Sequence, residues 1–359
     1  MTLGPSVIAP PKAVSVSVAV EPALNVLNSM SMLNFAERLS GLDEWVTRTA
    51  QALSAEELHR NYLIISILYD ATLIDDYAAL EFPAYLEALA AQDPARLRDR
   101  VIDGLLSRAT GDKAPSAAQL LKDCGEFISY VHEISGTPGS QDVELLKEAH
   151  ALLNDPPAMH NLILSHLQRM WETVMAGEWA GIHGTLEDAA AAFQGINLRA
   201  LAFADAFRFI TGRDISGELD PALVPPQVIF VPSVHIGPYI TLYERGQVLR
   251  VCFGARAPVG AEVYSSQLGR SQLLVWLNAL ADDTRLSILE LIAHNGEVCA
   301  QDIIARFNLS QSSASRHLRQ LRAAGYLTER RRDGANKCYT LNPGRVEEMI
   351  AALRDLLIK

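Results

Sequence analysis

The chain has 359 residues, 49% of them hydrophobic and 20% charged, with a formal net charge of −11. That length allows two or three domains, each with its own core, and the balance is ordinary for a soluble globular protein. The negative total excludes non-specific coating of DNA or of an anionic membrane, but not a local basic surface, because attraction to phosphate depends on nearby charge.

Cys124, Cys252, Cys299 and Cys338 lie far apart with no CxxC pair. This usage points to a reducing compartment, and to neither a disulfide framework nor a structural zinc site. The opening MTLGPSVIAPPKAVSVSVAV has one Lys and two adjacent prolines ahead of an alternating Val/Ser run. A secretory leader places its charge before a continuous apolar block, so this segment does not read as one. Residues 14–20, VSVSVAV, alternate strictly and predict a short strand with one buried face.

From about 21 to 213 helical patterns dominate, as in YLIISILYDATLIDDYAALEF, VELLKEAHALLN and NLILSHLQRMWETVMAGEWAGI. TGDKAPS, SGTPGS and NDPP break them, and no fixed-period repeat marks a solenoid. The most apolar stretch, NYLIISILYDATLI, is interrupted by Asp70 and is too short to span a bilayer. A cytoplasmic location with no membrane partner is therefore expected. Met170, Trp171, Met175 and Trp179 fall on one helix face and could line a pocket for a small apolar ligand, with core packing as the competing reading. His150, His160, His166 and His183 are not spaced as ligand pairs, and the adjacent acids Glu56-Glu57 and Asp75-Asp76 diverge on a helix.

Around 221 the pattern changes. Three β-like runs follow at 228–231, 239–243 and 248–253, the last two joined by a short Gly-containing link at 244–247 suited to a hairpin. VSVSVAV is expected to join this small sheet. His235, placed between Pro232 and Pro238, and the following Tyr239 are candidate effector-binding residues, against a turn histidine satisfied by backbone. A linker around 256–268 leads into a last region. The expected architecture is mainly α with small β elements (α+β): a helical domain with a small antiparallel sheet over 1–265, then a separate module over 268–359.

In that last region Leu273, Leu274, Leu277 and Leu280 recur at helical spacing. Asp282 or Asp283 can cap the next helix, which runs with an apolar face until Gly296 ends it. AQDIIARFN forms a short helix, and after a tight break Ser310 is a natural cap for SSASRHLRQLRAA, terminated by Gly325. Two helices joined by a tight turn, the second capped and polar on its outer face, make a helix-turn-helix. Gln311, Ser312, Ser313, Ser315, Arg316, His317 and Arg319 are its candidate DNA contacts, since Arg can grip guanine, Gln adenine, and Ser bases or phosphates. YLTERRR and KCYTLN then flank the turn-rich Asp-Gly-Ala-Asn, a hairpin wing whose Arg330, Arg331, Arg332 and Lys337 suit phosphate. Residues 299–345 hold nine Lys/Arg against three acids, a net +6 that leaves −17 on the rest.

LADDTRLSILELI followed by LSQSSASRHLRQLRAAGYLTERRRDGANKCYTLN resembles the winged helix of the ArsR/SmtB repressor family, over about 90 residues. The resemblance implies a homodimer on a twofold-symmetric, double-stranded DNA operator, paired through the helices at 268–281 and 345–358. In the latter Val346, Met349, Ile350, Leu353, Leu356 and Leu357 form an apolar stripe. Many relatives hold thiophilic metals with two cysteines in a motif like ELCVCDL. Here Cys299 matches the first, but Gln301 replaces the second, and the last helix lacks the His of another family site. No metal and no cofactor are expected, and Cys338 reads as isolated. A long N-terminal sensor resembling the extensions of some actinobacterial-type relatives, responding to a non-metal effector or partner, is the implied input. No HExxH, GxSxG, GxGxxG or phosphate loop supports an enzyme. The alternatives are an adaptor without DNA binding and an enzyme using the winged helix only to dimerise.

Overall fold

The computed structural model describes residues 14–108, 114–135, 143–198, 201–213, 223–256, 258, 266–332 and 336–358, without the side chains of 266–271, 331, 332 and 355. The leader reading at 1–13, most of the linker, and the breaks TGDKAPS and SGTPGS lie wholly or partly outside them. Contacts divide the chain into two compact units, Glu21–His183 and the segments flanking it.

The unit Glu21–His183 is helical: α1 (Pro22–Leu33), α2 (Glu44–Ala52), α3 (Ala55–Tyr62), α4 (Tyr69–Thr72), α5 (Phe82–Ala90), α6 (Pro94–Ser107), α7 (Ala117–Lys122), α8 (Cys124–Ile134), α9 (Val143–Leu153), α10 (Pro156–Met170) and the first half of α11 (Ala176–Ala191). Local chemistry sets several starts. Ser54 with Glu57, and Ser116 with Gln119, form reciprocal capping boxes. Asp93 and Asp155 cap α6 and α10 just ahead of a proline, at the position where a missing N–H does no harm. The NDPP break is thus a helix start.

Between α10 and α11, Trp171–Met175 is wound as a π-helical turn. Its i→i+5 bonding places residues five apart on one face, so Met170 and Met175 are both buried. Trp171 packs on Phe82 with ring centroids 5.1 Å apart, and the buried Trp179 on His183 at 5.0 Å. Both tryptophans thus pack against neighbouring rings.

A polar network runs through this interior. The fully buried Asn61 donates to the Met30 carbonyl at 2.8 Å and to Asn34 Oδ1 at 2.7 Å, while its own Oδ1 meets His166 Nε2 at 3.2 Å. Burial, and then the charge of Arg60, lowers the His166 pKa to about 4. Between the ordinary value of about 6.5 and that value, the unfolded chain takes up a proton that the folded chain refuses, so stability falls as pH drops through this window. Denaturant melts at pH 7.5 and 5.5 are expected to differ by about 1 kcal/mol from this residue. His166→Gln should remove that share. An unchanged pH dependence in the variant would contradict the assignment.

The flanking segments form the second unit. Its first part contains β1 (Ser15–Val18), the rest of α11, α12 (Phe203–Thr211), β2 (Gln227–Ser233), β3 (Ile240–Arg245) and β4 (Val248–Gly254). β1 does join the sheet, in the order β1-β2-β4-β3. The sheet is mixed, however, and not antiparallel throughout: β1 with β2 and β2 with β4 are parallel, and only β3 with β4 is antiparallel. The reason is topological. β3 and β4 make a tight hairpin whose two-residue loop starts at Gly246 (φ +57°), and β4, the returning strand, lies against β2. Phe193, Phe207, Phe230 and Phe253 fill the core beneath, in edge-to-face contacts of 5.6–6.3 Å.

The second part contains α13 (Ser266–Leu280), α14 (Asp283–Asn295), β5 (Glu297–Cys299), α15 (Ala300–Phe307), α16 (Gln311–Ala323), β6 (Leu327–Arg332), β7 (Asn336–Leu341) and α17 (Pro343–Leu357), with strand order β5-β7-β6. Leu273, Trp276, Ile288, Ile292, Leu318, Leu321 and Tyr326 build its core. The antiparallel β5–β7 register sets Cys299 opposite Cys338, and the two are disulfide-bonded across 39 residues of sequence. This corrects the reading of Cys338 as isolated and of the cysteines as unlinked; strand pairing, invisible in local spacing, brings them together.

Candidate nucleic-acid interface

Each turn of this module is fixed by its own residues. Asp282 caps α14 by accepting the Arg285 N–H at 2.9 Å. Gly296 closes it with φ +78°. Asn308, at φ +50°, ends α15 in the left-handed conformation that asparagine tolerates better than most residues. Two residues on, Ser310 caps α16 by accepting the Ser313 N–H at 3.1 Å. The result is a helix-turn-helix with a three-residue turn. Ala314, Leu318 and Leu321 anchor α16 in the core, and Gln311, Ser312, Ser315, Arg316 and Arg319 are exposed together on the opposite face. Ser313 is half-buried beside the cap.

Beyond Gly325 (φ +84°) the chain enters the wing. Arg330 is exposed; Arg331 and Arg332 lie on β6 with side chains outside the description, as does the tip at 333–335. Glu329 organises the base of the hairpin. It pairs with Arg322 Nη1 at 2.9 Å and Lys337 Nζ at 3.2 Å, and accepts a longer bond from the Tyr339 hydroxyl at 3.4 Å. Burial, and secondarily the Glu329 charge, pushes Tyr339 up to about 12, so the hydroxyl stays protonated. A groove of about 320 Å³ opens between α15, α16 and the wing, lined by Gln311, Ser315, Arg319, Arg322 and Lys337. Sequence reading missed the part played by Glu329. The signal lay in the strand register, since Glu329 opposes Tyr339 and so lies diagonal to Lys337.

A family model for bacterial regulatory proteins of the arsR family matches residues 282–329, from the cap of α14 into β6. Over 78 residues the chain is 48% identical to the arsenic resistance transcriptional regulator ArsR1 of Pseudomonas putida, covering 22% of this chain and 60% of that protein. It is 35% identical over 82 residues to an arsenical resistance operon repressor of Staphylococcus aureus, covering 23% and 77%. It is also 36% identical over 86 residues to the transcriptional activator HlyU of Vibrio cholerae, covering 24% and 78%. The chain belongs to the arsR family. It is a DNA-binding, helix-turn-helix transcription regulator with a long N-terminal extension. These relatives are regulators and not enzymes, and the likeness spans about a quarter of the chain.

Two residues, His317 and Arg345, are placed differently from the sequence reading of this arsR-family regulator. His317 is buried, with Nδ1 3.7 Å from Asp282 Oδ1, and burial lowers its pKa. It faces the core because it lies three residues after Ala314 and four before Leu321, both on the inner face. Arg345, counted among the basic charges, is also buried. It pairs with Glu348 at 2.7 Å, donates to the Gly212 carbonyl at 3.0 Å and covers Trp276 at 4.7 Å. His235 is buried two residues beyond β2, whereas Tyr239 is half-buried. These two lie in one unit and Trp171 and Trp179 in the other, so the four effector candidates do not fall in one unit. Among the described residues no group of three or more His, Cys, Asp or Glu could hold a metal ion, and no helix is long and apolar enough to cross a membrane.

The apolar stripe of α17 divides. Val346, Met349 and Leu353 pack against the module's own core, while Ile350, Leu356, Leu357 and the following Ile358 are exposed, as is Leu274 on α13.

Proposed function

We propose that this chain is a dimeric, cytoplasmic repressor that reads a twofold-symmetric operator through α16 and holds the flanking phosphates with its wing. The observation that carries the reading is the single outer face of α16, on which Gln311, Ser312, Ser315, Arg316 and Arg319 stand exposed beside a basic hairpin. Arg316 and Gln311 are assigned to base edges, and Arg319, Arg330, Arg331, Arg332 and Lys337 to phosphates. His317 is no longer among the contacts. The exposed apolar residues of α13 and α17 fit a twofold partner helix pair. Repression is favoured by the name of the staphylococcal relative, and the vibrio activator marks the other outcome. The extension is assigned to sensing a non-metal effector or a protein partner, an input supported by its size and by Gln301 in place of a second cysteine.

Selection of bound fragments from a genomic DNA pool, followed by sequencing, tests this reading. Enriched sites with twofold symmetry are expected. An asymmetric half-site would count against the dimer, and no enrichment at all would favour an adaptor that kept the winged helix without reading DNA.

Glu329 gives a second test, because it pairs with two cations beside the groove and cancels one of their charges. Glu329→Gln is expected to tighten binding to all sequences alike and to steepen the dependence of log affinity on log salt by about one per subunit. Anisotropy titrations on a random duplex at four salt concentrations would measure it; an unchanged slope would remove Arg322 and Lys337 from the phosphate-binding surface.

A further inference from the structure

The Cys299–Cys338 bond closes a covalent loop around the whole reading apparatus. Everything between the two residues, namely α15, α16, β6 and the start of β7, lies inside it. Its ends are mechanically significant. Cys299 is the N-cap residue of α15, the first helix of the helix-turn-helix, and makes no side-chain cap hydrogen bond. Cys338 stands on β7 between Lys337 and Tyr339, which both line the groove beside α16. β5 is only three residues long, so few backbone hydrogen bonds hold it to the wing, and the sulfur bridge adds a covalent attachment to them.

The two residues are unequally buried: Cys338 fully and Cys299 only partly, so Cys299 is assigned as the one that meets a small reagent. Where glutathione and thioredoxin keep thiols reduced, a disulfide is as a rule transient and sensing, not structural. We infer that Cys299 and Cys338 form a reversible dithiol–disulfide couple that clamps the wing to the start of the helix-turn-helix. Oxidation by a hydroperoxide balances directly. The Cys299 thiolate attacks the peroxide oxygen, releasing an alcohol or water and leaving a sulfenic acid. The Cys338 thiol then displaces water from it, so two thiols and one peroxide yield one disulfide, one alcohol and one water. In the reverse direction a dithiol reductant attacks the Cys299 sulfur, Cys338 leaves as the thiolate, and the reductant's second thiol resolves the mixed disulfide.

Closing the clamp fixes the start of α15 against β7 of the wing, which removes part of the ordering cost of binding a duplex. The oxidised chain is therefore expected to bind DNA about fivefold more tightly than the reduced one. That half rests on the operator-reading function proposed above; the chemistry of the couple does not.

The test uses the full chain, equilibrated with hydrogen peroxide or with a dithiol reductant and then quenched by alkylation in denaturant, so that buried thiols are labelled as well. Peptide mass mapping is expected to show Cys299 and Cys338 losing their labels together and regaining them together, with Cys124 and Cys252 labelled throughout. Amide hydrogen exchange in β5, the start of α15 and β7 should be several-fold slower in the oxidised form. Affinity for a duplex from the genomic selection should change about fivefold, and not at all in the Cys299→Ser/Cys338→Ser variant. Independent labelling of the two cysteines, links only between molecules, or a disulfide that leaves exchange unchanged would each overturn the clamp. If neither redox form binds DNA, the operator reading fails, while labelling and exchange still decide the couple.

Discussion

Arg316→Ala is expected to weaken binding to the operator about 30-fold, a loss of about 2 kcal/mol, while leaving binding to random DNA within about threefold. Arg316 is exposed on the outer face of α16, flanked by Ser315 and one turn before Arg319. A guanidinium presents a rigid fork of donors that matches the two acceptors of guanine in the major groove, so its removal costs a base contact as well as a charge. A phosphate contact would behave differently, because it weakens every sequence alike. Anisotropy titrations on the selected duplex and on a scrambled one separate the two cases. Equal losses on both would move Arg316 from base reading to phosphate holding.

Leu321→Ala should destabilise the winged helix by about 3 kcal/mol. Its side chain is fully buried on the inner face of α16, among Leu318, Ile288, Ile292 and Tyr326 in the same core. Truncation loses transfer free energy and leaves a cavity that this small core can only partly collapse. Hydrogen exchange of the α14 and α16 amides would report the loss, and DNA binding should fall with it at elevated temperature. A change under about 1 kcal/mol would mean that α16 is held chiefly by its caps and by the wing.

The helix-turn-helix was legible because its determinants are local. Ser310, Gly325 and the spacing of Ala314, Leu318 and Leu321 lie within one short segment and specify cap, stop and inner face without reference to the rest of the chain. The same periodicity held the correction for His317, which shares that inner face. The three β-like runs were legible for similar reasons, and β1 by its strict alternation, although nothing local states that it pairs with β2. What stayed hidden depends on partners distant in sequence. The mixed sheet follows from which strand of the hairpin meets β2, and no pattern within 221–256 states that. The Cys299–Cys338 bridge follows from the β5–β7 register. The burial of Arg345 rests on a carbonyl at Gly212, 133 residues away. The π-helical turn at Trp171–Met175 was hidden too, because nothing in the local spacing marks it.

The charge asymmetry acquires a geometric meaning from these placements. Of the basic residues near the groove, Arg322 and Lys337 share Glu329, while Arg316, Arg319 and Arg330 stand exposed. The −17 carried by the rest of the chain is expected to repel phosphate, which favours approach through the basic groove and wing.

The most direct test of sequence-specific reading by α16 is a competition at about 150 mM salt. A labelled duplex from the genomic selection, bound by the full chain, is displaced either by itself unlabelled or by the same duplex with its base order scrambled. A preference for the native order of about a thousandfold or more is expected, in the range of specific regulators. Equal displacement by the two competitors would contradict the account, because it would leave charge as the whole of the interaction.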